Sequence, residues 1–304
     1  MLAGAALALG SAIAGSRAGQ ADAAVRHNWI AAVNTEWDVA PNGGDPLTGA
    51  RLDAPSRRFT AVVYRRFTPG FRKPYPDTAR LGDNDGIPGP TIRARVGDTV
   101  IVHFRNRDTA HRLPHSMHFH AFRYSPSSDG SFIPYRSGRG ASVPVGGEFT
   151  YRLKAVRDSV GLWPYHDHSP SMHESIELGL YGTIIVRAKG EPQPDREQIM
   201  YFAKHMGFDT INGRAFIGNT PTYHGRLGED VEWDVLALGS EFHVFHLHGH
   251  RWIRNHVPTD SEVLGPSSTV RARMREDAVG TWYVHCHVET HQANGMIALY
   301  RVTR

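Results

Sequence analysis

The stretch Trp282-Tyr283-Val284-His285-Cys286-His287, followed by His291 and Met296, decides how the rest of this 304-residue chain is read. Aromatic and β-branched residues lead into it, which is the composition of a strand. Along a strand side chains alternate faces, so His285 and His287 point one way and Cys286 the other. One strand can therefore serve two metal sites.

A thiolate, two imidazoles and a thioether are the donor set of a blue-copper electron-transfer centre, with the methionine as weak axial ligand. Cys286, His291 and Met296 supply three of the four. The missing imidazole is expected from Phe242-His243-Val244-Phe245-His246-Leu247-His248. His246 and His248 share a face, whereas His243 has the opposite parity and faces the side of Cys286.

Working outward, the chain holds 19 histidines, and chance pairing at that frequency gives roughly one His-x-His. There are five, three of them in the last third. The single cysteine cannot close an intrachain disulfide. The net charge of +4 rests on scattered arginines, with lysine only at 73, 154, 189 and 204, so nucleic-acid binding is not indicated. With 40% hydrophobic and 21% charged residues the chain is neither disordered nor fibrous.

Met1 to Gly15 is small and apolar, and Ser16, Arg17 and Ala21-Asp22-Ala23 follow it as a small-x-small cleavage pattern. Residues 1–23 are expected to be an export signal or flexible leader, since a bilayer span needs about 20 apolar residues. From about Ala24 to Ala188 short β runs (Thr60–Tyr64, Thr99–Phe104, Glu148–Leu153, Gly182–Val186) alternate with turn clusters such as Ser127-Ser128-Asp129-Gly130. That spacing predicts an all-β sandwich. Lys189 to Gln198, polar and with two prolines, reads as a linker. A second sandwich is expected over about 199–304, with β runs at Val231–Leu238, Phe242–Leu247, Val270–Arg275 and Thr281–Cys286. Each half carries one His-x-His mid-domain and one near its end, which predicts a duplicated module.

These residues resemble the multicopper oxidases, and among them the two-domain small laccases of bacteria. The resemblance covers the chain after the leader and rests on His118-Phe119-His120, His166-Asp167-His168, His246-Leu247-His248 and His285-Cys286-His287 with His291 and Met296. It implies two cupredoxin-like Greek-key β-sandwich domains and four coppers per chain. His118 and His246 match ligands of a type 2 copper. His120, His166 and His287 match one type 3 copper, and His168, His248 and His285 match the other. His243, Cys286, His291 and Met296 match the type 1 copper. Tyr124 and Asp129 match positions near the cluster, where a tyrosine acts as auxiliary electron donor and an acid relays protons.

Because Asp167 stands where the second half has Cys286, no type 1 centre is expected in the first half. Four cluster histidines come from each half. The small laccases close the cluster between subunits, so the resemblance implies a head-to-tail homotrimer. The implied reaction couples one-electron oxidation of phenols or aromatic amines to reduction of dioxygen to water. Asp167 and His287 both argue against copper nitrite reductase, which carries its thiolate in the first domain and lacks a histidine directly after it. Copper storage would favour many equivalent soft ligands, and a zinc hydrolase needs about three ligands, leaving most of these histidines unexplained.

Overall fold

The computed structural model describes residues 23–76 and 86–304; the leader expectation, apart from Ala23, lies outside them. Strands make up 48% of the described residues and helices 10%. In the first half run β1 (Val25–Asp38), β2 (Arg58–Phe67), β3 (Gly89–Arg95), β4 (Thr99–Arg107), β5 (His118–Phe119), β6 (Glu148–Lys154), β7 (Gly161–His166) and β8 (Tyr181–Arg187). Short helices α1 (Ala54–Arg57) and α2 (Met172–Glu177) interrupt them. The second half contains β9 (Arg196–His205), β10 (Phe208–Ile211), β11 (Thr222–Arg226), β12 (Asp230–Ala237), β13 (His243–Leu247), β14 (Trp252–Arg254), β15 (Val257–Thr259), β16 (Ser261–Leu264), β17 (Thr269–Arg275), β18 (Gly280–Cys286) and β19 (Ile297–Thr303). Helix α3 (Glu289–Ala293) lies between the last two strands.

The pairing repeats between halves. Sheet order β2-β1-β4-β6 is matched by β10-β9-β12-β17, and β3-β8-β7-β5 is matched by β11-β19-β18-β13, with β16 added at the edge. In both, the same neighbours are parallel (β1 with β4, β9 with β12; β3 with β8, β11 with β19). Even a local device recurs. Gly161 and Gly280, at φ of +143° and +157°, open β7 and β18 where a side chain would crowd Trp163 and Trp282. Each indole N–H then donates to the carbonyl four residues back, Ser159 at 3.0 Å and Ala278 at 3.2 Å.

Inward-facing residues of each sheet pair fill a core. Ile30, Val102, Phe104, Phe119, Tyr151 and Ile184 build the first, and Phe202, Trp233, Phe245, Leu247, Val284 and Tyr300 the second. Each fully buried aromatic or aliphatic side chain contributes about 2 kcal/mol. A third cluster joins the halves, with Trp37, Ala61 and Ile185 against Tyr201, Ala203 and Leu236. β9 starts at Arg196, three residues ahead of the expected second sandwich, because Arg196 already pairs with Val231 of β12.

The seam between halves also holds a buried ionic network. Arg187 of β8 bridges Glu232 at 2.5 Å and Glu197 at 3.0 Å, and Arg271 reaches Asp234 at 3.1 Å. Tyr181 OH meets His205 Nε2 at 2.8 Å across the same seam.

Candidate metal centres

Register assembles the first centre. In the antiparallel pairing of β13 and β18, Phe245 opposes Cys286 and His246 opposes His285. Opposed residues share a face, so His243, two before Phe245, lies on the side of Cys286. The Cys286 Sγ is 3.8 Å from His243 Nδ1 and 3.7 Å from His291 Nδ1, and the two nitrogens are 3.2 Å apart. Helix α3 presents His291, and its exit returns the chain so that the Met296 N–H donates to the His291 carbonyl and the Cys286 N–H to the Met296 carbonyl. Met296 is fully buried in the core cluster that holds Cys286.

Burial pushes the Cys286 thiol up, partly opposed by backbone N–H groups including that of Val244 at 3.3 Å. Burial likewise depresses His243 to about 4, so its ring is neutral with a free lone pair. A buried thiol focused with two imidazoles is a set that a thiophilic cation would complete by stabilising the thiolate.

On the opposite face, four rings gather: His246 lies 5.0 Å from His248, 5.4 Å from His285 and 5.2 Å from His287 between centroids. The first half repeats this, with His118 at 5.2 Å from His120, 5.5 Å from His166 and 5.3 Å from His168. The repeat extends to register, since His118 opposes His166 as His246 opposes His285. In each quartet two ring nitrogens face one another, His120 Nε2 to His166 Nε2 at 3.4 Å and His248 Nε2 to His285 Nε2 at 3.1 Å.

Tautomers are set from behind. The Nδ1–H groups of His118, His166, His246 and His285 donate to the carbonyls of Asp129 (2.8 Å), Asp167 (2.8 Å), Asp260 (2.9 Å) and Cys286 (2.9 Å). A ring committed at Nδ1 offers Nε2 to a metal. Burial also pulls His120, His166 and His285 down to about 4. The eight rings form two clusters of nitrogen donors, a donor type that suits divalent copper. Among the described residues, no ring contact joins one quartet to the other within the chain, and each forms its own candidate group.

Tyr124 and Asp129 both come to His118. The tyrosine ring is 6.4 Å from it, and a carboxylate oxygen of Asp129 is 3.5 Å from Nδ1. Burial first, then the Asp129 charge, pushes Tyr124 up to about 12.

Two histidines that the sequence leaves without a role act behind the ligands. His250 is buried, donates from Nδ1 to the His248 carbonyl at 2.7 Å and holds Glu276 at 2.8 Å. His115 is three residues before His118, as His243 is three before His246; that repeat spacing is the signal that marks it. There it meets Asp108 at 3.1 Å and Asp167 at 3.8 Å, with Ser169 donating to Asp167 at 2.6 Å. The first half thus fills the thiolate position with a closed polar network. His173 stands exposed on α2 and lines a cavity of 290 Å³ together with Met172, Ile176, Leu238, Glu241 and His243.

Two duplicated all-β sandwiches carrying one cysteine-centred site and two histidine quartets define a copper protein of the cupredoxin-like class. The chain matches multicopper oxidases over residues 72–191 and again over 191–304, and it belongs to that family. It is 28% identical over 246 residues to the probable nitrite reductase-hydroxylamine oxidoreductase fusion protein of Kuenenia stuttgartiensis, covering 73% of this chain and 28% of that one. To human Ferroxidase HEPHL1 it is 27% identical over 347 residues, 91% of this chain and 29% of that one. To rat ceruloplasmin it is 27% identical over 345 residues, 91% and 31%. The chain spans under a third of the length of these relatives. In fold it is similar to a multicopper oxidase crystal structure (TM-score 0.69, 24% identity, 91% of this chain and 89% of that one). It is also similar to the copper nitrite reductase from Nitrosomonas europaea (TM-score 0.71, 22% identity, 92% and 94%).

Proposed function

We propose that the chain is a laccase-like oxidase that takes single electrons from phenols or aromatic amines and reduces dioxygen to water. The observation that carries this reading is the β13–β18 register, which sets Cys286 beside His243 and His291 while its covalent neighbours His285 and His287 face the other way into a quartet. His243, Cys286, His291 and Met296 would hold a type 1 copper. The quartets would hold a type 2 copper and a type 3 pair, His118 and His246 on the former. When bound, four coppers supply stepwise electron storage, so that dioxygen is reduced without release of partial products.

The protein's own part is positional. Cys286 is bonded through the backbone to both His285 and His287, giving an unbroken covalent route between the two centres. His291 is the more exposed of the two type 1 imidazoles, and Glu241 lies 3.2 Å from its Nε2 at the cavity. That carboxylate can accept the proton a phenol or amine sheds on oxidation. Asp129 would hold protons next to His118, and Tyr124 would be an auxiliary electron donor there.

Each half supplies only four cluster ligands and the quartets do not meet within the chain. A head-to-tail contact that closes into a ring would unite them, and a homotrimer is the proposed assembly. Export through the 1–23 leader belongs to the same reading.

Ferrous iron is a second donor class with its own observation: donor atoms of Asp209, Glu241 and His291 lie within 4.8 Å of one another, and two relatives are named ferroxidase and ceruloplasmin. Lys204, 2.8 Å from Glu241 and 3.9 Å from Asp209, already supplies a positive charge there and favours the organic donor.

Metal analysis with oxygen uptake on a simple phenol, ferrous iron and nitrite in parallel tests the proposal. Four coppers per chain and uptake driven by the phenol are expected. Copper with turnover of nitrite or ferrous iron alone would contradict it.

A further inference from the structure

Beside His291 two carboxylates converge on a single point, and an ammonium group occupies it. The antiparallel register of β9 and β10 sets Lys204 opposite Asp209, and the loop between β12 and β13 brings Glu241 to the same place. Lys204 Nζ donates to Glu241 Oε1 at 2.8 Å and lies 3.9 Å from Asp209 Oδ1. Lys204 and Glu241 both line the 290 Å³ cavity that reaches His243.

Asp209 is the informative member. It is 3% exposed, and its Oδ2 accepts from Asn294 Nδ2 at 2.8 Å, whereas Oδ1 has no hydrogen-bond partner among the described residues. Asn294 also donates to the Gly207 carbonyl at 2.8 Å, which braces that carboxylate in place. A buried oxygen facing an ammonium too distant to bond is left under-satisfied. Carboxylate oxygens so disposed are the ligand type of hard divalent cations.

His291 closes the arrangement. Its Nδ1 is turned to Cys286 and His243, which assigns the ring proton to Nε2, and Nε2 donates to Glu241 Oε2 at 3.2 Å. An ion held by Glu241 and Asp209 thus sits one carboxylate and one hydrogen bond from an imidazole of the cysteine-centred site. It does not need that imidazole as a ligand.

We propose that Lys204 determines the donor class: its ammonium stands in for a metal ion between Glu241 and Asp209, excludes ferrous and other hard divalent ions, and leaves the cavity to neutral organic donors. A divalent ion meets a like charge at the point where the two carboxylates converge, so the exclusion is electrostatic. Its kinetic consequence rests on the oxidase reading; the charge arrangement does not. With the ammonium removed, each ferrous ion bound there passes one electron toward His291 and leaves as ferric iron. Four such ions, with four protons from water, turn one dioxygen into two waters.

Manganous chloride under argon is the probe, added to the copper-loaded protein and counted from the loss of the free ion's paramagnetic spectrum. Copper content and the blue band check folding in every variant. The parent and Lys204→Arg should bind no manganese at micromolar concentration. Lys204→Met, which keeps the side-chain length and removes the charge, should bind one per chain, and adding Asp209→Asn to it should weaken that binding about tenfold or more. With oxygen admitted, the rate on ferrous iron relative to a simple phenol should rise about tenfold or more in Lys204→Met and stay at the parent ratio in Lys204→Arg. Manganese bound as tightly by the parent as by Lys204→Met, none bound by Lys204→Met with its blue band intact, equal binding in the double variant, or an unchanged donor ratio would each overturn the proposal. Because manganese is counted without turnover, loss of activity on every donor would strike the oxidase reading while the manganese count still decides the role of Lys204.

Discussion

Asp167 occupies in the first half the place that Cys286 occupies in the second: each follows a histidine register-paired to the first member of a His-x-His motif, His118 to His166 and His246 to His285. The difference between carboxylate and thiolate sorts the halves. Asp167 is buried and spends its oxygens on the Ser116 N–H at 2.5 Å and the Ser169 hydroxyl at 2.6 Å, whereas the Cys286 sulfur is aimed at two ring nitrogens.

Asp167→Ala should therefore act on stability and leave the type 1 centre alone. It strands the buried Ser116 N–H and leaves the Ser169 hydroxyl without its acceptor, a loss of about 1–3 kcal/mol. Denaturant melts read the loss, and the intense visible band of the type 1 centre should be unchanged; a changed band would show that the first half takes part in that centre.

The seam sets the pH range of folding. Burial lowers His205 to about 4 from 6.5, so the unfolded chain takes the proton more readily. That contribution is fully present above 6.5 and is lost as pH falls toward 4. Asp234 runs the other way. Burial raises its carboxyl, aided by the Glu232 and Glu197 charges and opposed by Arg271. The folded state then holds the proton, a contribution complete below the ordinary 3.8 and lost as pH rises through the raised value. Asp234→Asn, which mimics the protonated form, should flatten the alkaline decline of the melting temperature. An identical slope in parent and variant would contradict this account of the seam.

Much of this was legible in the sequence because strand alternation is a strict rule. The opposite parity of His243 and His246, and the split of Cys286 from His285 and His287, follow from a period of two, and the β13–β18 register realises both. Other features leave no residue-level mark. The carbonyls of Asp129 and Asp260 that fix tautomers act through backbone, which every residue possesses. His250 and Glu276 pair across 26 positions, and the seam of Trp37, Tyr201 and Leu236 depends on how two sandwiches dock. Helix α2 is too short for its periodicity to stand out from a loop.

The two separated quartets make the proposed ring assembly testable by dilution. Mild dilution to monomer should leave the type 1 colour intact and stop oxygen reduction, which should return on reconcentration. Sedimentation paired with oxygen uptake checks it, and an active monomer would refute the intersubunit cluster.

The proposed proton relay rests on Asp129, whose carboxylate lies 3.5 Å from His118. Asp129→Asn keeps the backbone carbonyl that orients His118 and removes only the titrating group. Its pH–rate profile should lose the limb that the parent shows, with a rate reduction of about tenfold or more at the optimum. An unchanged profile removes the relay.

The central claim is that one sulfur links two centres, and Cys286→Ser tests it most directly. Copper analysis, the visible spectrum and steady-state oxygen uptake on the same sample should give three coppers per chain, no intense blue band and no turnover of any organic donor. Sustained oxidation by that variant, or a parent-like band, would contradict the account.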